Sequence, residues 1–200
     1  MMDALSENTE DNRELILKAA EERFSQYGFN KTTMAEIAKD CGMSAANLYR
    51  YFKNKQDIGA AFAQTCMAER AEVLREVVRR PGLGAAERLR EYILAMLRHN
   101  HQICTNQPNI NELVLHITSE RQDIIRKKVE TEQSLIAEIL SEGNRTGEFD
   151  VPDVLNTAEA IILATVKFGV PIFVGLYPLD EFERKAINVV DLLIQGLKKH

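Results

Sequence analysis

The chain has 200 residues, 45% of them hydrophobic and 28% charged, with 10 Gly, 5 Pro and no Trp. Such a chain can bury a sizeable core in one or two domains, and its few breakers favour helices over a many-turned sheet. A net charge of -5 excludes a broadly basic nucleic-acid coat, so any DNA footprint must be local.

The opening MMDALSENTEDNRE is polar and acidic, unlike a signal peptide. Residues 1–8 read as a disordered tail. From Thr9 a helix is expected, with Glu10 and Asp11 at its positive end and Ile16, Ala19, Ala20, Phe24 and Tyr27 as its apolar stripe. Gly28 ends it. Thr33 then caps a second helix, with Glu36 at the capping-box spacing and Met34, Ile37, Ala38 and Cys41 on one face. Gly42 supplies the turn and Ser44 caps a third helix. On that helix Leu48 and Phe52 face inward, against Ile16, Phe24 and Ile37. The opposite side carries Ala46 and Arg50, flanked by Ala45 with Tyr49 and by Asn47 with Tyr51.

This outward face suits a DNA groove. Small residues at the helix start allow close approach to base edges, and Asn47 can both donate to and accept from a base, adenine above all. The Tyr hydroxyls and the cations reach phosphates, which fix register. From Ser44 to Lys55 there are three cations, Arg50, Lys53 and Lys55, and no acid.

TTMAEIAKDCGMSAANLYRYFKNKQDI resembles the DNA-binding domain of the TetR family of transcriptional regulators. Thr32-Thr33, Ile37-Ala38, the Gly42-x-Ser44 turn and the Leu48-Tyr49-x-Tyr51-Phe52-x-x-Lys55 run carry the match. Ala45 stands where many members have Lys or another polar residue. The resemblance implies a DNA-binding domain over residues 10–62, with the helix-turn-helix at about 33–52, and an effector-binding and dimerisation domain over 63–200. It implies DNA contacts from Thr33, Ser44, Ala45, Ala46, Asn47, Tyr49, Arg50, Tyr51 and Lys55.

Lys55 to Arg80 reads as one long helix, the link from ligand to DNA in such a family. Pro81-Gly82-Leu83-Gly84 breaks it. Further helices are expected at Ala85–Cys104, Ile110–Thr118, Glu120–Ser141, Asp153–Gly175 and Asp180–Leu197, with a polar turn at 143–147. The total is about nine helices, an all-α fold. The last two carry Ile161, Ile162, Ala164, Thr165, Phe168 and Ile172, and Phe182, Ala186, Val189, Val190, Leu193 and Leu197. They are either intrachain core or, as the resemblance implies, the homodimer interface. The charge-free run Phe168 to Leu179 is in the roughly 10–14-residue range of a core helix, so no membrane span is expected.

The resemblance also implies an effector pocket, with Met67, Leu74, Ile93, Met96, Leu97, Leu113, His116, Ile117 and Phe168 as lining candidates. Plain core is the competing reading of each. The aliphatic and Met character points to a small apolar or amphipathic effector. His99, His101 and Cys104, with His116 downstream, do not complete a zinc ligand set. No nucleotide motif or catalytic constellation is present, so no cofactor and no enzyme activity are expected. Glu130 and Glu132 read as a solvated pair. Cys41, Cys66 and Cys104 form no disulfide framework, which points to a reducing, cytoplasmic setting. The function expected is a homodimeric repressor of a palindromic double-stranded operator, released by a small effector. Competing readings are a DNA-binding activator or architectural protein without a ligand, and a helical enzyme or adaptor.

Overall fold

A computed structural model describes the backbone of residues 2–198 and the side chains of residues 10–198. The described residues are helical, with a lone antiparallel bridge between Phe149 and Lys198. The helices are α1 (Met2–Tyr27), α2 (Met34–Asp40), α3 (Ala45–Leu48), α4 (Lys55–Val78), α5 (Ala85–Asn106), α6 (Ile110–Glu120), α7 (Gln122–Thr146), α8 (Val154–Gly169) and α9 (Leu179–Leu197), with a 3-10 turn at Pro171–Leu176. Two compact units result. The first takes in the chain up to Cys66 together with Thr105–Ile124. The second takes in Met67–Cys104 and the chain from Ile125 onward.

Several elements differ from expectation, each for a local reason. Helix α1 reaches back to Met2 instead of leaving a disordered tail, because no Gly or Pro interrupts the chain before Tyr27. Thr9 therefore lies inside it. Helix α7 runs through Gly143 to Thr146, so the turn expected at 143–147 begins only at Gly147. Helix α8 stops at Gly169, not Gly175. Pro171 has no N–H to continue the ladder and forces Val170 into extended backbone, at φ -124 and ψ 123.

In the first unit Ile16, Phe24, Ile37, Leu48, Phe52 and Ile58 are at most 4% exposed, worth about 1.5–3 kcal/mol each on burial. Phe29, expected in a connector, joins this core. Its ring meets Phe24 edge-on at 5.1 Å and stacks on His116 at 4.8 Å. Gly59 makes room for it: a Cβ there would lie 2.8 Å from Phe29 and 2.9 Å from Leu113. Tyr27 is instead 49% exposed, with Arg23 over its ring.

The second unit has its own core from α4, α5, α7, α8 and α9, with Leu74, Leu89, Ile93, Leu97, Ile139, Ala158 and Val190 fully enclosed. Ile161, Thr165, Phe168, Phe182, Ala186, Val190 and Leu197 belong to it or are buried beside it. Of the residues expected on that face of α8, Ala164 is exposed, and the large apolar groups that α8 and α9 leave outside are others: Leu155, Leu163, Val166 and Leu192, at 60%, 67%, 46% and 70% exposure.

Candidate DNA interface and a buried polar cluster

Helices α2 and α3 are both closed by side-chain caps. Thr33 N donates to Glu36 Oε2 at 2.9 Å and Glu36 N to Thr33 Oγ1 at 3.3 Å, a reciprocal capping box. Gly42 turns the chain at φ 66, where a Cβ would be strained. Ser44 Oγ then accepts from Asn47 N at 3.2 Å, starting α3. After Leu48 the helix tightens: Arg50 N donates to Asn47 O at 3.1 Å and Tyr51 N to Leu48 O at 3.0 Å. This carries the chain on to Phe52, 4% exposed.

Leu48, fully buried, holds α3 from beneath. Arg13 of α1 holds its far end, donating to the Tyr51 carbonyl at 2.9 Å and lying 4.3 Å over the Phe52 ring. Arg23 braces α2, paired with Asp40 and, at 3.3 Å, with Glu36. The Thr33 hydroxyl bond and Arg23 hold the Glu36 carboxyl below its ordinary range, and Arg23 does the same for Asp40.

Among the residues expected at DNA, Ala46, Tyr49 and Arg50 are exposed, Tyr49 at 53%. Ala45, Asn47 and Tyr51 are half-buried, and Asn47 Nδ2 lies 4.0 Å from Met43 Sδ. Thr33 and Ser44 are exposed but act as caps. Lys55 is engaged inward. Its Nζ donates to Phe29 O at 2.7 Å and Asn30 O at 3.1 Å and lies 4.7 Å over the Phe29 ring. Burial lowers its pKa, opposed by Glu112.

Helix α6 completes this unit. Glu112 Oε2 accepts from Asn30 N at 2.9 Å, Asn109 Nδ2 donates to Ser25 O at 2.8 Å, and Gln107 Nε2 donates to Glu21 Oε1 at 2.7 Å. Leu113 and Ile117, expected to line an effector pocket, are 2% exposed in this unit, and His116 stacks on Phe29.

The second unit holds a polar cluster that its sequence does not announce. Glu132, expected on a solvated face, is 6% exposed, and so is Arg70 of α4. The Arg70 guanidinium pairs with Glu132 Oε1. It also donates to Gly169 O at 2.8 Å, while Asn100 Nδ2 donates to Phe168 O at 2.9 Å. Both thereby satisfy carbonyls that the break at Pro171 orphans. Lys128 Nζ donates to Glu132 Oε2 at 3.1 Å. Burial and then Arg70 lower the Lys128 pKa, while Glu132 raises it. Burial, followed by the Glu132 charge, pushes Tyr92 up. A cavity of about 20 Å³ lies here, room for about one water. Tyr92, Ile93, Met96, Lys128, Glu132, Ile136, Ile162 and Thr165 are among its walls. Of the expected lining residues only Ile93 and Met96 reach it; Met67, Leu74, Leu97 and Phe168 do not.

The signal for this cluster was present but ambiguous. Lys128 and Glu132 are i,i+4, the spacing of an ordinary surface pair. His99, His116 and Cys104 lie in separate surroundings. Cys104 Sγ lies 3.5 Å from Pro171 O, and His99 Nε2 is buried without a partner among the described residues. Burial, then Arg70, lowers the His99 pKa. No helix of the described residues is long and apolar enough to cross a membrane.

A capped helix pair on an aromatic core, with Ala46, Tyr49 and Arg50 outward, defines a helix-turn-helix protein. Residues 16–62 match the model of bacterial regulatory proteins of the tetR family, and residues 85–190 match the tetracyclin repressor-like C-terminal domain. The fatty acid metabolism regulator protein of Bacillus subtilis (strain 168) is 25% identical over 187 residues, covering 91% of this chain and 93% of that one. A transcriptional regulator of the TetR/AcrR family from Thermobifida fusca YX-ER1 superimposes with TM-score 0.70 at 24% identity, covering 94% of this chain and all of that one (100%). The regulator FadR from Bacillus subtilis, solved in complex with stearoyl-CoA, gives 0.67 at 21% identity, covering 92% and 98%. The chain belongs to the TetR family of DNA-binding transcriptional regulators, which are not enzymes.

Proposed function

We propose that this regulator is a cytoplasmic homodimeric repressor of a palindromic operator, released by a small apolar or amphipathic effector. The observation that carries it is the exposed face of Ala46, Tyr49 and Arg50 on a rigidly capped α3, with Asn47 at its margin. Asn47 and the small Ala45 and Ala46 approach base edges, while Tyr49, Tyr51 and Arg50 hold phosphates. With few side chains to read bases, specificity leans on Asn47, thymine methyl contacts and half-site spacing. Lys55, held by the Phe29 and Asn30 carbonyls, positions the head and does not clamp phosphate.

The dimer forms through α8 and α9. Leu155, Leu163 and Val166 on one and Leu192 on the other are large apolar groups left in water. A second copy is the fitting occupant, because two recognition helices about 34–36 Å apart enter successive major grooves. The effector site lies in the second unit, beside Ile93 and Met96. The fatty-acid regulator and the stearoyl-CoA complex among its relatives support an effector with an apolar part. Effector binding shifts the population toward a head spacing that no longer fits the operator.

The test is selection of bound duplexes from a random pool, followed by a mobility shift. A palindromic, salt-sensitive site is expected, and no retarded band at low salt sinks the reading. Leu163→Glu with Leu192→Glu gives a monomer by light scattering and loses the site; a dimer that persists removes the interface.

A further inference from the structure

Arg70 and Glu132 make a balanced pair, and the bond from Arg70 to the Gly169 carbonyl accounts for them. Lys128 is left over. It sets a second, half-buried cation against the same carboxylate, so the cluster holds two positive charges and one negative. A surplus charge held partly out of water costs stability and fastens nothing that the pair does not already hold. Beside it the Tyr92 hydroxyl, on a residue 1% exposed, has no partner among the described residues, although a buried phenol normally finds one. Tyr92 and Lys128 border the same cavity, whose remaining walls are largely apolar.

We infer that this cavity binds the carboxylate head of an amphipathic organic anion, with Lys128 supplying charge and Tyr92 a hydrogen bond. An ammonium offers three protons, of which Glu132 takes one. Lys128 and Tyr92 can both donate toward the cavity, and an acceptor-only group satisfies both at once. Glu132 also borders the cavity, but its two oxygens are engaged, one by Arg70 and the other by Lys128. The cavity of about 20 Å³ takes one oxygen of such a head as it stands, and a planar carboxylate displaces its walls less than a tetrahedral phosphate. The tail then runs between Met96, Ile162 and Val166. Met96 can give way through its rotatable bonds, and Val166 is 46% exposed. The inference rests on the effector reading of this unit and names the ligand class.

The test is calorimetric titration of the full chain with straight-chain carboxylates, and with the alcohols, amines and alkyl phosphates of matching length. Carboxylates are expected to bind tightest. Lys128→Met and Tyr92→Phe are each expected to weaken them about tenfold or more, and Lys128→Met to weaken the uncharged alcohols far less. Tyr92→Phe keeps the ring and decides the matter should Lys128→Met fail to fold. Equal or tighter binding of amines, alcohols or phosphates overturns the inference, as does no carboxylate binding, or carboxylate affinity unmoved by Tyr92→Phe. Release of labelled operator DNA is measured separately. Carboxylates that bind without releasing DNA uphold the site and overturn the effector reading; a neutral ligand that alone binds and releases DNA does the reverse.

Discussion

In the first unit Arg23 joins Asp40 and Glu36 at the rim of an aromatic core, with Asp40 in contact with solvent. In the second unit Arg70, Glu132 and Lys128 sit largely inside, on the carbonyl end of α8. The rim network aligns α1 with α2 at little stake, because water solvates whichever partner is lost. The enclosed cluster has no such recourse. Removing one member strands another, so its members are coupled to each other and to whatever enters the cavity.

The sharpest way to break this contrast is to delete one carboxylate from each unit. Glu132→Ala leaves the buried Arg70 without its carboxylate beside the half-buried Lys128 and should cost about 3–5 kcal/mol in denaturant unfolding; Asp40→Ala should cost about 0.2–1 kcal/mol. Equal costs would abolish the distinction. Phe29→Ala empties the aromatic junction of the first unit and should cost about 3–5 kcal/mol, with DNA affinity falling alongside.

A middling effect is expected at the caps. Thr33→Ala removes the capping box at about 0.5–2 kcal/mol, read as a lower midpoint with an unchanged denaturant slope. Next come the cations of the DNA face. Arg50→Ala should lower the salt dependence of operator binding by about one unit. Lys55→Ala should weaken binding with that slope unaltered, since its ammonium is spent on carbonyls; a slope reduced for Lys55 as for Arg50 would return it to the phosphates.

The smallest effect is with pH. Glu36 and Asp40 titrate below their ordinary values of 4.5 and 3.8. Their contribution is therefore complete above the unfolded values and is lost as pH falls through the lower folded ones. Arg23→Ala should flatten this acid limb of a thermal melt, and an unchanged limb would move its cause elsewhere.

Much of the first unit was legible. Thr33 with Glu36, Gly42, Ser44 and the Leu48–Phe52 pair each specify local backbone or a buried face, and neighbours in sequence suffice to read them. Phe29 was missed because it stands outside any periodic stripe, and only α1, α4 and α6 coming together enclose it. Lys55 looked like its neighbours Arg50 and Lys53, yet the Phe29 carbonyl that captures it is 26 residues away in sequence. In α8 and α9 the apolar content was legible but not its partition, because both sides of each helix carry large apolar groups.

What the sequence determined by itself was the order of helices, the caps of α2 and α3 and the outward side of α3, since these rest on contacts within a few residues. What only the tertiary structure decided was the company of the charged side chains. Glu132 is an ordinary surface carboxylate until Arg70, 62 residues distant, is packed against it. The desolvation that gives the cluster its significance exists only once α4, α5, α7 and α8 have closed around it.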